Sequence, residues 1–275
     1  MSNLSSILLS PKRAERHYIE IILVGFFYSS ISIFLSLWIF PSNSSLAAIF
    51  LTVISCLYIV QSILITEEDK ESDYKSEKWI LKEHAKLIVF LSSLMFGFII
   101  SFTFWTIILP ESVNSSIFSL QISTLKDIGE ISKNFITGNV ISNSGNAIYT
   151  IIANNFKVLL FSLIFALFYG AGAIFILVWN SSIIGIVIGT LARESLGLSA
   201  LPIIFTKYMI HGLPEMIAYF IASLAGGIIF VTIIRGDVKK GKIKRIIIDV
   251  TILIALSITI LLIAAFLEIY VSPFV

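Results

Sequence analysis

The chain has a single cysteine, Cys56, and it lies in an apolar run. That excludes an intrachain disulfide and a cysteine-based metal centre. Histidine is almost as scarce, with three in all (His17, His84 and His211), and no His-Glu-x-x-His occurs, so zincin-type proteolysis has no support. An intramembrane aspartyl dyad needs two buried Asp residues; only Asp249 lies near an apolar run, at its end. The stretch Gly197-Leu-Ser-Ala200 lacks the second glycine of a serine-nucleophile motif. Charged residues are only 13 % of the chain and the formal net charge is +2. No cofactor and no nucleic-acid partner are expected.

What fills the chain instead is apolar residue, 57 % by count, with a mean hydropathy of +0.98. A bilayer core of about 30 Å needs roughly 20 helical residues. Apolar runs of that order fall at about 19–40, 46–65, 87–109, 157–178, 181–198, 202–234 and 246–270. A β-barrel would show short alternating segments instead. The reading is an all-α polytopic membrane protein with about seven transmembrane helices. The first run is too long for a signal h-region and lacks a small-residue cleavage site, so no cleavable signal peptide is expected.

Positive charge sets the expected orientation. Lys12, Arg13 and Arg16 form one group, Lys70, Lys75, Lys78, Lys82 and Lys86 a second, and Arg235, Lys239, Lys240, Lys242, Lys244 and Arg245 a third; these hold 14 of the 19 Lys and Arg residues. All three are cytoplasmic only if even numbers of passes separate them. The uncharged stretch from Val158 to Ala192 is long for one pass and short for two, and must therefore cross twice. The expectation is a short or re-entrant hairpin at about 158–198, turning at Trp179-Asn-Ser-Ser182. The N-terminus is then cytoplasmic and the C-terminus outside.

Residues 110–156 form the expected extracytoplasmic segment. Within it, apolar positions 117, 118, 120, 122, 125, 128 and 131 make a loose helical stripe, which reads as an amphipathic helix on the membrane surface. Asn43 and Asn114 each open an Asn-Ser-Ser sequon on the expected outer side and are possible glycosylation sites. The expected division is 1–149, an N-terminal three-helix membrane region with outside segment 110–149, and 150–275, a core membrane domain.

One apolar run carries chemistry-bearing residues. In "KYMIHGLPEMIAYF", Lys207, His211 and Glu215 follow i, i+4, i+8 spacing and share a helix face. Lys207 and Glu215 are about 12 Å apart by helix rise and do not pair along the helix. Pro214 leaves the Ile210 carbonyl without its helical donor, which predicts a kink; Gly212 opens the backbone to a close neighbour. An ionised side chain at mid-bilayer costs about 2.5–3.5 kcal/mol on insertion scales, so this face should point into the bundle. It reads as a binding or proton-handling site, a metal half-site of His211 and Glu215, or a self-satisfied cluster that locks helix packing. Asn154 and Asn155 read first as a helix N-cap, and Asn180 as the tip of the hairpin; either could instead reach the His–Glu face. Gly185-x-x-x-Gly189, the pair Ser223 and Gly227, and Gly170 with Gly172 mark close helix contacts.

The order "NNFKVLLFSLIFALFYGAG", "WNSSIIGIVIG", "HGLPEMIAYFIASLAGG" and "AAFLEIYVSP" resembles the stage II sporulation protein M family over about residues 150–275. The matching positions are Asn154, Asn155, Gly170, Asn180, Gly185, His211, Gly212, Glu215, Gly226 and Glu268. Ser181 stands where many members have glycine. The resemblance implies an integral membrane protein with no established catalytic activity; the namesake looks like a scaffold for a cell-wall-degrading complex.

Three functions follow as expectations. The first is a non-enzymatic membrane scaffold or assembly component, with membrane lipids and other membrane proteins or a second copy as partners. The second is a proton- or ion-coupled transporter or channel component using His211 and Glu215. The third is a membrane-embedded metal-dependent enzyme.

Overall fold

In a computed structural model, the structure describes residues 18–73, 77–126, 140–166, 171–194, 197–235 and 243–272. Gly170, the first basic group and most of the loop between Arg235 and Ile243 lie outside the described residues, as does the part of the apolar stripe beyond residue 126. The helices are α1 Tyr18–Ile39, α2 Ser44–Asp73, α3 Glu77–Ile108, α4 Glu111–Ile117, α5 Val140–Ala166, α6 Ala171–Glu194, α7 Leu201–Arg235 and α8 Ile243–Tyr270; no strand occurs among the described residues. A single helical turn at Pro41–Asn43 joins α1 to α2, and another at Leu198–Ala200 precedes α7. Six helices are long and apolar enough to cross a membrane, while the apolar part of α5, Ile151–Ala166, is shorter. The protein is an all-α polytopic membrane protein.

Close contacts give each helix its direction. An alanine-like Cβ at Gly25 of α1 would stand 2.8 Å from the Leu94 carbonyl oxygen and 3.3 Å from the Gly97 Cα of α3. Further along, Ser30 Oγ lies 3.0 Å from Ser101 Oγ and accepts the Trp105 Nε1–H at 2.8 Å. The two helices therefore run parallel. The same holds for α6 on α3: a Cβ at Gly185 would meet Phe102 Cβ at 2.7 Å, and one at Gly189 would meet Thr106 Cβ at 2.7 Å. Thr103 Oγ1 also donates to the Gly185 carbonyl at 3.0 Å. Lipid tails are as apolar as leucine, so helices associate through such close approach and through hydrogen bonds between them. On α7, a Cβ at Gly226 would run into the Leu163 carbonyl of α5, and Ser223 Oγ donates to the Ser162 carbonyl at 3.4 Å. Helix α5 thus runs parallel to α7 and reverses the chain between α3 and α6. Because α3 lies directly on α6, the two expected regions share one packed core.

The hairpin turns elsewhere than expected. Trp179-Asn-Ser-Ser182 lies in the middle of α6, so the chain does not turn there; residues 167–170, between α5 and α6, lie outside the described residues. The polar residues do not stop the helix because each bonds back onto it. Asn180 Nδ2 donates to the Ile176 carbonyl at 2.8 Å, Ser181 Oγ to Leu177 at 2.6 Å and Ser182 Oγ to Trp179 at 2.7 Å. Bonding to the preceding turn is how Ser and Asn survive inside a helix. Helix α7 likewise continues through Pro214.

The outer stripe also departs from its expectation. Residues 119–126 are helical and, with α4, dock into the bundle instead of lying on the membrane surface. Ile117 and Phe118 are fully buried, the Phe118 ring meets Phe102 at a centroid distance of 6.0 Å, and Gln121 is 1 % exposed. Side chains of Ser45 and Ser182 wait for that glutamine, and pairing with them outweighs its exposure at a lipid surface.

Asn114 does not present a free sequon. Its side chain is buried, and Nδ2 donates to the Thr106 carbonyl at 2.8 Å and to Leu109 at 3.3 Å, closing the C-terminus of α3. Asn43 is exposed, in the turn after α1. Arg193 Nη1 shares the task on α3, donating to Leu109 at 2.8 Å and Thr106 at 3.3 Å, and its Nη2 lies 3.7 Å from Glu111 Oε2. Glu111 is 81 % exposed. An exposed ion pair contributes about 0–1 kcal/mol, so Glu111→Gln should lower the unfolding free energy by no more than that. A larger loss in a differential scanning measurement would assign Glu111 a role beyond this pair.

Candidate functional site

The stripe Lys207, His211 and Glu215 lies within α7, one turn apart each time, as helical spacing demands. Its next member is Tyr219, 2 % exposed. The site is completed by α5 and by the end of α8. Helix α5 begins at Val140, so Asn154 and Asn155 sit inside the helix and cap nothing. Asn154 is exposed. Asn155 is buried on the α7 side and uses both ends of its amide: Nδ2 donates to Glu215 Oε1 at 2.5 Å, and Oδ1 accepts the Tyr219 hydroxyl at 3.3 Å. The Glu215 contact sets the amide's orientation, since turning it over would put Oδ1 against a carboxylate oxygen, whereas the Tyr219 hydroxyl can donate or accept.

Helix α8 runs antiparallel to α7 here. His211 Nδ1 and Ser272 Oγ, in the turn just past α8, are 2.8 Å apart. One turn earlier, Glu268 stands within electrostatic reach of both Glu215 and the Tyr219 hydroxyl. Lys207 acts electrostatically on His211 from the turn above. Gly212 faces α6, where an added Cβ would lie 3.4 Å from Ile184 Cδ1, an ordinary contact.

The structure therefore links Asn155 to Glu215 and Tyr219, and His211 to Ser272, with Glu268 within electrostatic reach of Glu215. It leaves Asn180 on its own α6 carbonyl and Asn154 at the surface. Gly185 and Gly189 serve the α3–α6 seam and Gly226 the α5–α7 seam, while a Cβ added at Gly227 would meet nothing within 4 Å. Among the described residues no three His, Cys, Asp or Glu side chains form a group that could hold a metal ion.

The model of the family described as stage II sporulation protein M matches residues 86–273. The chain belongs to this family. The match begins well upstream of residue 150, so it takes in most of α3 and the docked segment 111–126 together with the cluster-bearing helices. Neither the curated proteins nor the solved structures compared with the chain give a match. Every residue of the cluster falls inside the family match.

Proposed function

We propose that this family member is a non-enzymatic membrane scaffold, an assembly component of a membrane complex, in which the His-Gly-x-x-Glu cluster locks α5, α7 and α8 together. One observation supports this above the others. The polar groups of the motif meet partners on other elements, with Asn155 between Glu215 and Tyr219, and His211 against Ser272. The whole Asn155 amide, one Glu215 oxygen and one His211 nitrogen are thus spent on joining elements of the bundle. The partners are membrane lipids and other membrane proteins or a second copy of the chain. The N-terminus is cytoplasmic and the C-terminus outside, with α5 as a seventh pass; the alternating helix directions support this arrangement.

A second reading, a proton- or ion-coupled transporter or channel component, draws on Glu268 beside Glu215, with His211 one turn away. One pair of assays separates the two. Photo-crosslinking from the exposed Ser115 and Ser119 in native membranes should give the same discrete protein adducts in wild type and Glu215→Gln. Purified protein in liposomes loaded with a pH-sensitive dye should carry no proton flux. Flux in the wild type that vanishes in a folded Glu215→Gln variant would replace the scaffold with the transporter.

A further inference from the structure

The segment that follows α3 has a peculiar attachment. The chain leaves α3 at Pro110, and α4 with residues 119–126 then turns back against α2, α3 and α6. Its apolar anchorage is small. Ile117 and Phe118 are its only fully buried large side chains among the described residues; Val113, Ile122 and Leu125 are partly covered. The outward face is Ser112, Ser115, Ser116, Ser119 and Ser123, all exposed.

Polar latches do the rest. Gln121 Oε1 accepts from Ser45 Oγ at 2.8 Å, while Nε2 reaches Ser182 Oγ at only 3.4 Å. Ser45 Oγ in turn accepts the Leu120 N–H at 3.2 Å, and Ser44 Oγ reaches the Ser116 carbonyl at 3.5 Å. At the other end, Asn114 and Arg193 converge on the Thr106 and Leu109 carbonyls. Several of these contacts lie beyond the 2.7–3.2 Å of strong bonds. The Asn114 Oδ1 atom is buried with no hydrogen-bond partner, a defect that disfavours the docked state.

The surface beneath tolerates uncovering. Ser181 and Ser182 are satisfied by carbonyls of their own helix. Arg193, which lies outside the segment, also donates to the same α3 carbonyls, at 2.8 Å and 3.3 Å. Release of the segment would thus leave no helix end bare and would free Asn114 Oδ1 to meet water. Elements with few buried apolar contacts are those that open below the global unfolding free energy.

We propose that residues 111–126 are a displaceable plug, held in one end of the bundle by the Gln121 and Asn114 latches, which opens as a unit and uncovers the polar seam of α2 and α6. Two cysteine reporters in a Cys56→Ala background test this in liposomes with a charged, membrane-impermeant maleimide. The Ile117→Cys protein reports the plug. The Thr106→Cys protein is the control, because Thr106 is buried at the same end but packs on Gly189 in the α3–α6 seam. The expected result is labelling of the Ile117→Cys protein at least about tenfold faster than the control. Adding Gln121→Ala should raise only the Ile117→Cys rate, by about tenfold again. Equal rates for the two reporters, or a Gln121→Ala effect that is shared by both or absent from both, would overturn the plug. Should Gln121→Ala fail to assemble, the ratio of the two rates with Gln121 in place decides alone.

Discussion

Gly226→Ala will loosen or misassemble the α5–α7 pair, while Gly227→Ala, one residue on, will leave it intact. A methyl group on Gly226 runs into the Leu163 carbonyl and stands 2.9 Å from Ala166 Cβ, and neither can rotate away. The helices must separate, and overpacking of this kind costs about 1–3 kcal/mol. Separation also stretches the Asn155–Glu215 bond between the same two helices, so the loss should fall at the upper end of that range. At Gly227 an added carbon meets nothing within 4 Å. Gly212→Ala belongs with Gly227: its new neighbour is the tip of the Ile184 side chain, at ordinary contact distance. Thermal unfolding in detergent or nanodiscs reads all three. A Gly212→Ala protein that is stable but inactive would place the importance of Gly212 in function, apart from packing.

The second large effect is at Glu215. Glu215→Ala removes the acceptor for Asn155 Nδ2 and leaves that amide buried against an apolar wall. An orphaned donor of this kind costs about 1–3 kcal/mol. Glu215→Gln keeps an oxygen where Oε1 stands and preserves the bond to Asn155, so its loss should stay below the average worth of a hydrogen bond between membrane helices, about 0.6 kcal/mol. In a scaffold, stability falls slightly from wild type to Gln and further to Ala, with Gln still assembling as wild type does and Ala losing assembly. A proton-carrying role gives a different order, because Gln would fold as well as wild type and be as inactive as Ala.

Much of this was legible in the residues. Apolar runs separated by clustered lysines announce a polytopic helical protein, and the i, i+4, i+8 spacing places Lys207, His211 and Glu215 on one face of α7. Continuing that spacing by one step reaches Tyr219, which was hidden by being aromatic in an apolar run. Ser272 gave almost no signal: a serine beside a proline after the last span reads as a helix end, and only the antiparallel packing of α7 and α8 brings it to His211. The turn between α5 and α6 was misplaced because Asn180, Ser181 and Ser182 look like a polar break. Sequence shows a side chain's polarity but not that the preceding turn of its own helix satisfies it. Likewise, the stripe from Ile117 onward has the amphipathicity of a surface helix. Its docking depends on Gln121 finding Ser45 and Ser182, two residues remote in sequence.

In the proposed scaffold, Asn155 and Glu215 act as one interhelical lock. A double-mutant cycle of Asn155→Ala and Glu215→Ala, read by unfolding free energy in the membrane, tests it most directly. Interacting pairs give a coupling of about 0.5–3 kcal/mol, and distant ones add within about 0.3–0.5 kcal/mol. The lock predicts that the double variant loses distinctly less than the two single losses together. Simple additivity, or single variants as stable as the wild type, would contradict it.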